Sequence, residues 1–132
     1  MYFADSETRT VEAIEYDPAT GTLGASRVFV RYPAPILPDG ACVDEDGALW
    51  IALVEAGRIE RRLPDGTLDM IVNVPVSRPT MPALGGADGR TLFVTSQRRV
   101  LPRDAIGRQP LAGDLLAVRV PYAAAPANLA AI

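Results

Sequence analysis

Apolar and polar residues alternate along most of the chain with the two-residue period of half-buried strands rather than the 3.6-residue period of helices. Thr10, Val11, Glu12, Ala13, Ile14, Glu15 and Tyr16 give the clearest run. The same reading predicts strands over residues 1–4, 26–30, 57–63, 67–74, 80–84, 91–95 and 114–120, and a short helical turn within 101–109. Turn chemistry separates them: Asp17-Pro18-Ala19-Thr20-Gly21, Pro64-Asp65-Gly66 and Asp88-Gly89 each join a residue that favours a bend to a glycine free to take positive φ.

One hairpin stands out. Pro38-Asp39-Gly40-Ala41-Cys42-Val43 places a carboxylate just ahead of a buried strand, Asp44-Glu45-Asp46-Gly47 reverses the chain, and Ala48-Leu49-Trp50-Ile51-Ala52-Leu53 returns. Residues 32–38 hold three prolines and are expected to form a connection outside the sheet that delivers Asp39. A second hairpin overlays the first: Pro79-Thr80 on Pro38-Asp39, Asp88-Gly89 on Asp46-Gly47, Leu92-Phe93-Val94 on Leu49-Trp50-Ile51. Met1-Tyr2-Phe3 reads as the end of a preceding copy. Repeats of roughly 40–50 residues with several strands each predict β-propeller blades over an ordinary sandwich. The expected fold is therefore all-β, a partial β-propeller of about three blades of four-stranded antiparallel sheet, where closed propellers have about four to eight. The first strand of a blade lines the central channel, so Asp39 is expected to face a shared pocket. Asp65 is expected to be a plain hairpin tip.

Composition narrows the chemistry. With 132 residues, 48% of them hydrophobic and 22% charged, the chain has the material for a folded core. A net charge of -3 with scattered arginines offers no footprint for nucleic acid or an anionic membrane. The N-terminus lacks the form of a signal peptide, and a cytoplasmic location is expected. There is no histidine, which removes imidazole-based nucleophilic and metal chemistry from these residues, so a bound metal would be a hard cation held by oxygen. Cys42, the single cysteine, lies in an apolar run and is read as an inert core thiol. Asp44, Glu45 and Asp46 lack the ligand spacing of an EF-hand and are expected at a solvated hairpin tip. Arg61-Arg62 and Arg98-Arg99 are read as solvated charges, Trp50 as blade core. Asp5, Ser6, Thr95 and Ser96 are expected to satisfy local backbone donors. Two segments are distinguished, a propeller part over 1–120 and an Ala/Pro-rich tail over 121–132 that is expected to be loosely attached.

Many short runs resemble, in order, the SMP-30/gluconolactonase/luciferin-regenerating-enzyme family: Phe3-Ala4-Asp5-Ser6, Glu15-Tyr16-Asp17-Pro18, Pro38-Asp39-Gly40, Asp46-Gly47-Ala48-Leu49-Trp50-Ile51-Ala52, Gly57-Arg58-Ile59, Arg78-Pro79-Thr80, Thr91-Leu92-Phe93-Val94-Thr95-Ser96 and Gln109-Pro110-Leu111-Ala112-Gly113. The resemblance implies a six-bladed propeller roughly twice this length, of which the chain matches the C-terminal half. It further implies a divalent cation at the channel mouth, held by a glutamate, an asparagine and the aspartate of the Pro-Asp-Gly motif. On that basis Asp39 is both metal ligand and candidate catalytic base in hydrolysis of a sugar lactone. Calcium is the first choice of ion, with zinc, magnesium and manganese as alternatives. The glutamate and asparagine would lie upstream of Met1, which implies a truncated, split or wrongly started reading frame. Met81-Pro82-Ala83-Leu84 depart from the family, which tends there to small or sulfur residues and then an aromatic. The chain alone is expected to bind metal weakly and to be inactive. The alternative is a non-enzymatic propeller module for binding or scaffolding, and self-association through open blade edges is expected of either.

Overall fold

The structure, a computed structural model, describes residues 1–99 and 101–126. Its strands form three antiparallel sheets. The first comprises β1 (Tyr2–Asp5), β2 (Thr10–Asp17) and β3 (Thr22–Arg31), the second β4 (Leu37–Val43), β5 (Leu49–Val54), β6 (Arg58–Arg62) and β7 (Leu68–Asn73), each in chain order. The third comprises β8 (Pro79–Gly85), β9 (Thr91–Ser96) and β10 (Leu115–Arg119), and α1 (Arg103–Arg108) lies in the connection between β9 and β10.

The layering follows from β5. All six of its residues are buried, because both faces of its sheet are covered, and such a strand reads as a continuous apolar run rather than an alternation. Leu49, Ile51 and Leu53 join Val11, Phe29 and Tyr32 in one core between the first two sheets. Trp50 and Ala52 join Ile59, Leu92, Val94 and Val120 in a second core between the second and third. Three sheets stacked in sequence are successive blades of a partial β-propeller. The expected four strands are present in the middle blade, while the described residues supply three strands to each flanking blade.

The overlay of the two hairpins holds in detail. Gly47 and Gly89 both take positive φ, 79° and 70°, at equivalent turns. Both inner strands are bulged at the same place: Asp39 and Gly40 together oppose Ala52, and Thr80 is the extra residue between Pro79 and Met81. The expectation that residues 32–38 stay outside the sheet needs correction at its end, because Leu37 and Pro38 lie inside β4, Pro38 opposite Leu53, whereas Pro82 lies opposite Val94 inside β8, a strand the sequence does predict. β4 and β8 are the edge strands of their sheets, where a missing N–H breaks no ladder bond.

The tail also differs from expectation over residues 121–126. Tyr122 meets Trp50 edge-on at 6.1 Å, the Ala123 carbonyl accepts from the Glu45 amide at 3.0 Å, and the Ala124 amide donates to the Gly89 carbonyl at 2.9 Å. These residues strap the second blade to the third, since aromatic and backbone bonds reward order even in an Ala/Pro-rich segment. Residues 127–132 of the expected tail lie outside the described residues.

Candidate functional site

Asp39 enters β4, the strand along which the three sheets converge: β4 packs against both β1 and β8. Neighbouring backbones hold it from two sides. The Ser6 hydroxyl at the end of β1 donates to the Pro38 carbonyl at 2.7 Å. On the other side, a Cβ placed on Gly40 would sit 2.7 Å from the Thr80 carbonyl oxygen and 2.3 Å from the Met81 sulfur, so the glycine of the motif is what lets β8 approach. Thr80, the counterpart of Asp39 in the next blade, therefore stands beside it, with its hydroxyl 2.8 Å from that of Thr95.

The carboxylate of Asp39 is half-buried, and burial raises its pKa against a smaller opposing pull from the Gly40 amide. Among the described residues no guanidinium pairs with it. Asp65 shows the contrast. In the second Pro-Asp-Gly it accepts the Thr67 amide at 2.8 Å and its pKa is lowered, as expected for a plain turn. Asp5, Asp17, Asp88 and Asp104 are also lowered, by hydrogen bonds from Thr8, Thr20, Arg119 and Arg108 respectively. Asp39 is thus a hard, anionic oxygen donor left without the partners that its exposed relatives have.

That donor fits a hard cation in kind but not in number. Among the described residues no group of three or more His, Cys, Asp or Glu side chains is placed to hold a metal ion. Calcium takes six to eight oxygens, so one carboxylate with a neighbouring threonine falls well short.

The acidic turn turns out to be structural. Asp44 is 1% exposed rather than solvated, and its two oxygens accept from the Asp46 and Ala48 amides, both at 3.0 Å, the Trp50 indole at 2.8 Å and the Arg61 Nε at 2.6 Å. Arg61 is equally buried, paired also with Asp46 and Asp69, and its guanidinium lies 3.4 Å from the Tyr122 ring centroid. Arg62 is half-buried and, with Arg58, brackets the buried Glu60, which also accepts from the Tyr32 hydroxyl at 3.0 Å. The expectation of solvated arginines at 61 and 62 fails because period-two spacing turns these side chains toward buried acids. Arg98 and Arg99 are exposed, and Trp50 is fully buried, as expected. Asp44 follows β4 and Asp39 precedes most of it, so at about 3.3 Å per residue the strap and the candidate site lie some 16 Å apart, at opposite ends of the blade.

Cys42 packs beside the second core, and burial pushes its thiol up to about 11. Asp5 does accept from local amides, of Glu7 and Thr8. Ser6 and Ser96 do not act locally: Ser6 reaches Pro38, and Ser96 binds Gly113 and Asp114. At the Asp39 end of the blade, Glu55 forms an ion pair with Arg78, and the Gln109 side-chain oxygen accepts the Ser77 amide at 2.6 Å. These loop contacts, which fix where β8 and Thr80 begin, carry no strand period and were not expected from the sequence.

Residues 1–98 match the SMP-30/Gluconolactonase/LRE-like region. Among curated relatives, regucalcin of Gallus gallus is 34% identical over 120 residues, which cover 89% of this chain and 40% of that one. L-arabinolactonase of Azospirillum brasilense is 40% identical over 124 residues, covering 93% of this chain and 40% of the enzyme. Among solved structures, a calcium-binding protein, regucalcin, from Agrobacterium tumefaciens superposes with a TM-score of 0.87 at 30% identity, covering 93% of this chain and 42% of its own. The chain spans about two fifths of the length of the relatives it matches.

Proposed function

Because the chain belongs to the SMP-30/gluconolactonase/LRE-like family, we propose that it is the part of a divalent-metal-dependent sugar-lactone hydrolase that carries Asp39 as metal ligand and base. The observation that carries the reading is the half-buried, unpaired Asp39 carboxylate on a bulge where three blades converge. A cation bound there would polarise the lactone carbonyl and acidify water. Asp39 would take a proton from the attacking water, which adds to the carbonyl carbon. The ring C–O bond then breaks, and the proton passes to the departing alkoxide to give the open hydroxy acid. Bulged backbone and the close approach of Gly40 to Thr80 fix the direction in which the carboxylate is presented. A relative named L-arabinolactonase supports a sugar lactone as the substrate class, and a solved relative titled a calcium-binding protein supports calcium as the ion.

With no second carboxylate grouped beside Asp39 among the described residues, the isolated chain is expected to bind calcium loosely, with a Kd on the order of 10⁻³ M or weaker, and to lack turnover. Titration calorimetry on the chain and on Asp39→Asn tests the ligand role: the weak calcium heat should vanish in the variant. An identical isotherm in both removes Asp39 from the site, and calcium-dependent acid release from L-arabinolactone by the isolated chain overturns the claim of inactivity. A second reading, a non-enzymatic binding or scaffold module, is favoured by the absence of a three-ligand group among the described residues, and calcium binding that ignores Asp39 would select it.

A further inference from the structure

Gly40 leaves a gap in β4, and the side chain that fills it comes from the next blade. Of the atoms around the place a Gly40 Cβ would take, the nearest is the Met81 sulfur, ahead of the Thr80 carbonyl oxygen at 2.7 Å and the Met81 Cα at 3.0 Å. Met81 is also the residue that the hairpin overlay sets on Gly40, since Pro79 falls on Pro38 and Thr80 on Asp39. One inner strand thus carries a carboxylate followed by an empty place, and its neighbour carries a hydroxyl followed by a thioether that leans into that place. Both strands lie within the described residues, so the contact does not depend on what surrounds them elsewhere. Met81 is apolar yet belongs to neither core, and it is 44% exposed. An unbranched side chain with three rotatable bonds, laid over a glycine, holds two strands together poorly and lines an adaptable surface well. The Gly40 Cα is about 3.8 Å from that of Asp39, so the thioether lies beside the residue read above as metal ligand and base.

We propose that Met81 is a specificity-determining residue of the candidate site, its thioether forming the wall against which the C–H face of a sugar-lactone ring rests; this builds on the lactone reading given above. A sugar lactone carries hydroxyls at its rim and C–H bonds on its faces. Oxygen atoms such as those of Asp39 and Thr80 suit the rim, whereas a face wants an apolar, polarisable partner, which Met81 supplies at Gly40. The wall is contributed by one blade and the carboxylate by the one before it, so the width between them is set by how closely β8 approaches β4. A side chain at position 81 therefore decides how large a ring fits beside Asp39. Shortening it removes contact from a five-carbon lactone and opens room for a six-carbon one.

Labelling the methionine methyls with carbon-13 gives three reporters, on Met1, Met70 and Met81. In excess calcium, titration of the chain with L-arabinolactone is expected to move the Met81 methyl resonance saturably and to leave that of Met70, on β7, in place. Calorimetry with L-arabinolactone and with gluconolactone then compares variants. Met81→Ala should weaken the first by about tenfold and the second by less, so that the ratio of the two affinities changes, whereas Met81→Leu should keep both within about twofold. A purely structural role would lower both affinities in step. Met81→Gln keeps the length of the side chain and makes its end polar, so it too should weaken L-arabinolactone and serves if Met81→Ala does not fold. A parent chain that binds no lactone, a Met81 methyl that stays still while lactone binds, or an unchanged affinity ratio in Met81→Ala would each overturn the proposal. Calcium titration of Asp39→Asn separates the two readings: calcium heat that vanishes in this variant while the Met81 results fail removes only the wall, and an unaltered isotherm with a responding Met81 methyl removes only the metal role of Asp39.

Discussion

Replacing Asp44 with alanine tests whether the acidic turn is the structural keystone of the middle blade. The carboxylate is 1% exposed and accepts four hydrogen bonds, one of them from Arg61 at 2.6 Å. Its removal leaves a buried guanidinium with only the partly exposed Asp46 and Asp69, and strands the Trp50 indole N–H. Breaking a buried pair from one side costs about 3–5 kcal/mol, against a total stability of about 5–15 kcal/mol for a domain. At roughly 4 °C per kcal/mol for a chain of this size, the melting temperature should fall by about 12–20 °C. Equilibrium urea unfolding followed by Trp50 fluorescence reads the loss directly, at fixed chain concentration because association would shift the midpoint. Arg61→Met should cost a similar amount. The double variant should cost less than the sum by about 0.5–3 kcal/mol, since no lone charge then remains buried. A single-site loss under about 1 kcal/mol, or strict additivity, would mean that the network is ornamental and that the strap is held by Tyr122 and the backbone instead.

Asp39→Asn should raise the urea midpoint at neutral pH and leave it unchanged near pH 3. Its folded pKa is raised above the unfolded value, so the contribution to stability is intact below about pH 4 and is lost as pH rises through the folded pKa; a variant less stable than the parent at pH 7 contradicts the assignment. Gly40→Ala should cost about 1–3 kcal/mol in the same melts, because the added Cβ meets the Thr80 carbonyl, which cannot swing aside as a side chain can; a neutral effect means that β4 and β8 part freely. Thiol labelling of Cys42 should be slow at pH 8 and rise about tenfold per pH unit towards its pKa of about 11, where rapid labelling of the native chain at pH 8 would show it to be neither buried nor inert.

Much of the fold was legible because strand periodicity and turn glycines are local. The two hairpins could be laid on each other from Asp-Gly turns and apolar triplets alone, and Gly47 and Gly89 do share their positive φ. What escaped was anything set by contacts far apart in sequence. Arg61 looks like a surface charge in isolation and becomes a buried hub only because Asp44, Asp69 and Tyr122 arrive from three other segments. The triplet around Glu60 was nearer to being readable. Arg58, Glu60 and Arg62 alternate along one strand, so all three share a face, and an acid flanked at both i±2 positions by arginines can be buried with its charge compensated.

The candidate site marks the limit of local reading most clearly, since the chain uses Pro-Asp-Gly twice for opposite ends. Around residues 64–66 the tripeptide is a tip in water, where the Thr67 amide reaches back to the carboxylate and lowers its pKa. Around residues 38–40 the same chemistry enters an edge strand between two neighbouring blades, where the backbone bulges and burial raises the pKa. The shared Leu-Pro-Asp-Gly does not by itself separate the two cases. The difference lies in what the glycine is for. Gly66 supplies a left-handed φ of 92°, whereas Gly40 keeps negative or extended φ and supplies only room, the absence of a Cβ that would strike Thr80. A glycine kept for space brings a second backbone close, and a carboxylate beside it is desolvated by that approach with only the adjacent Gly40 amide as a donor in return. At neutral pH such a group is held ionised at a cost, and a hard cation is the partner that would remove that cost.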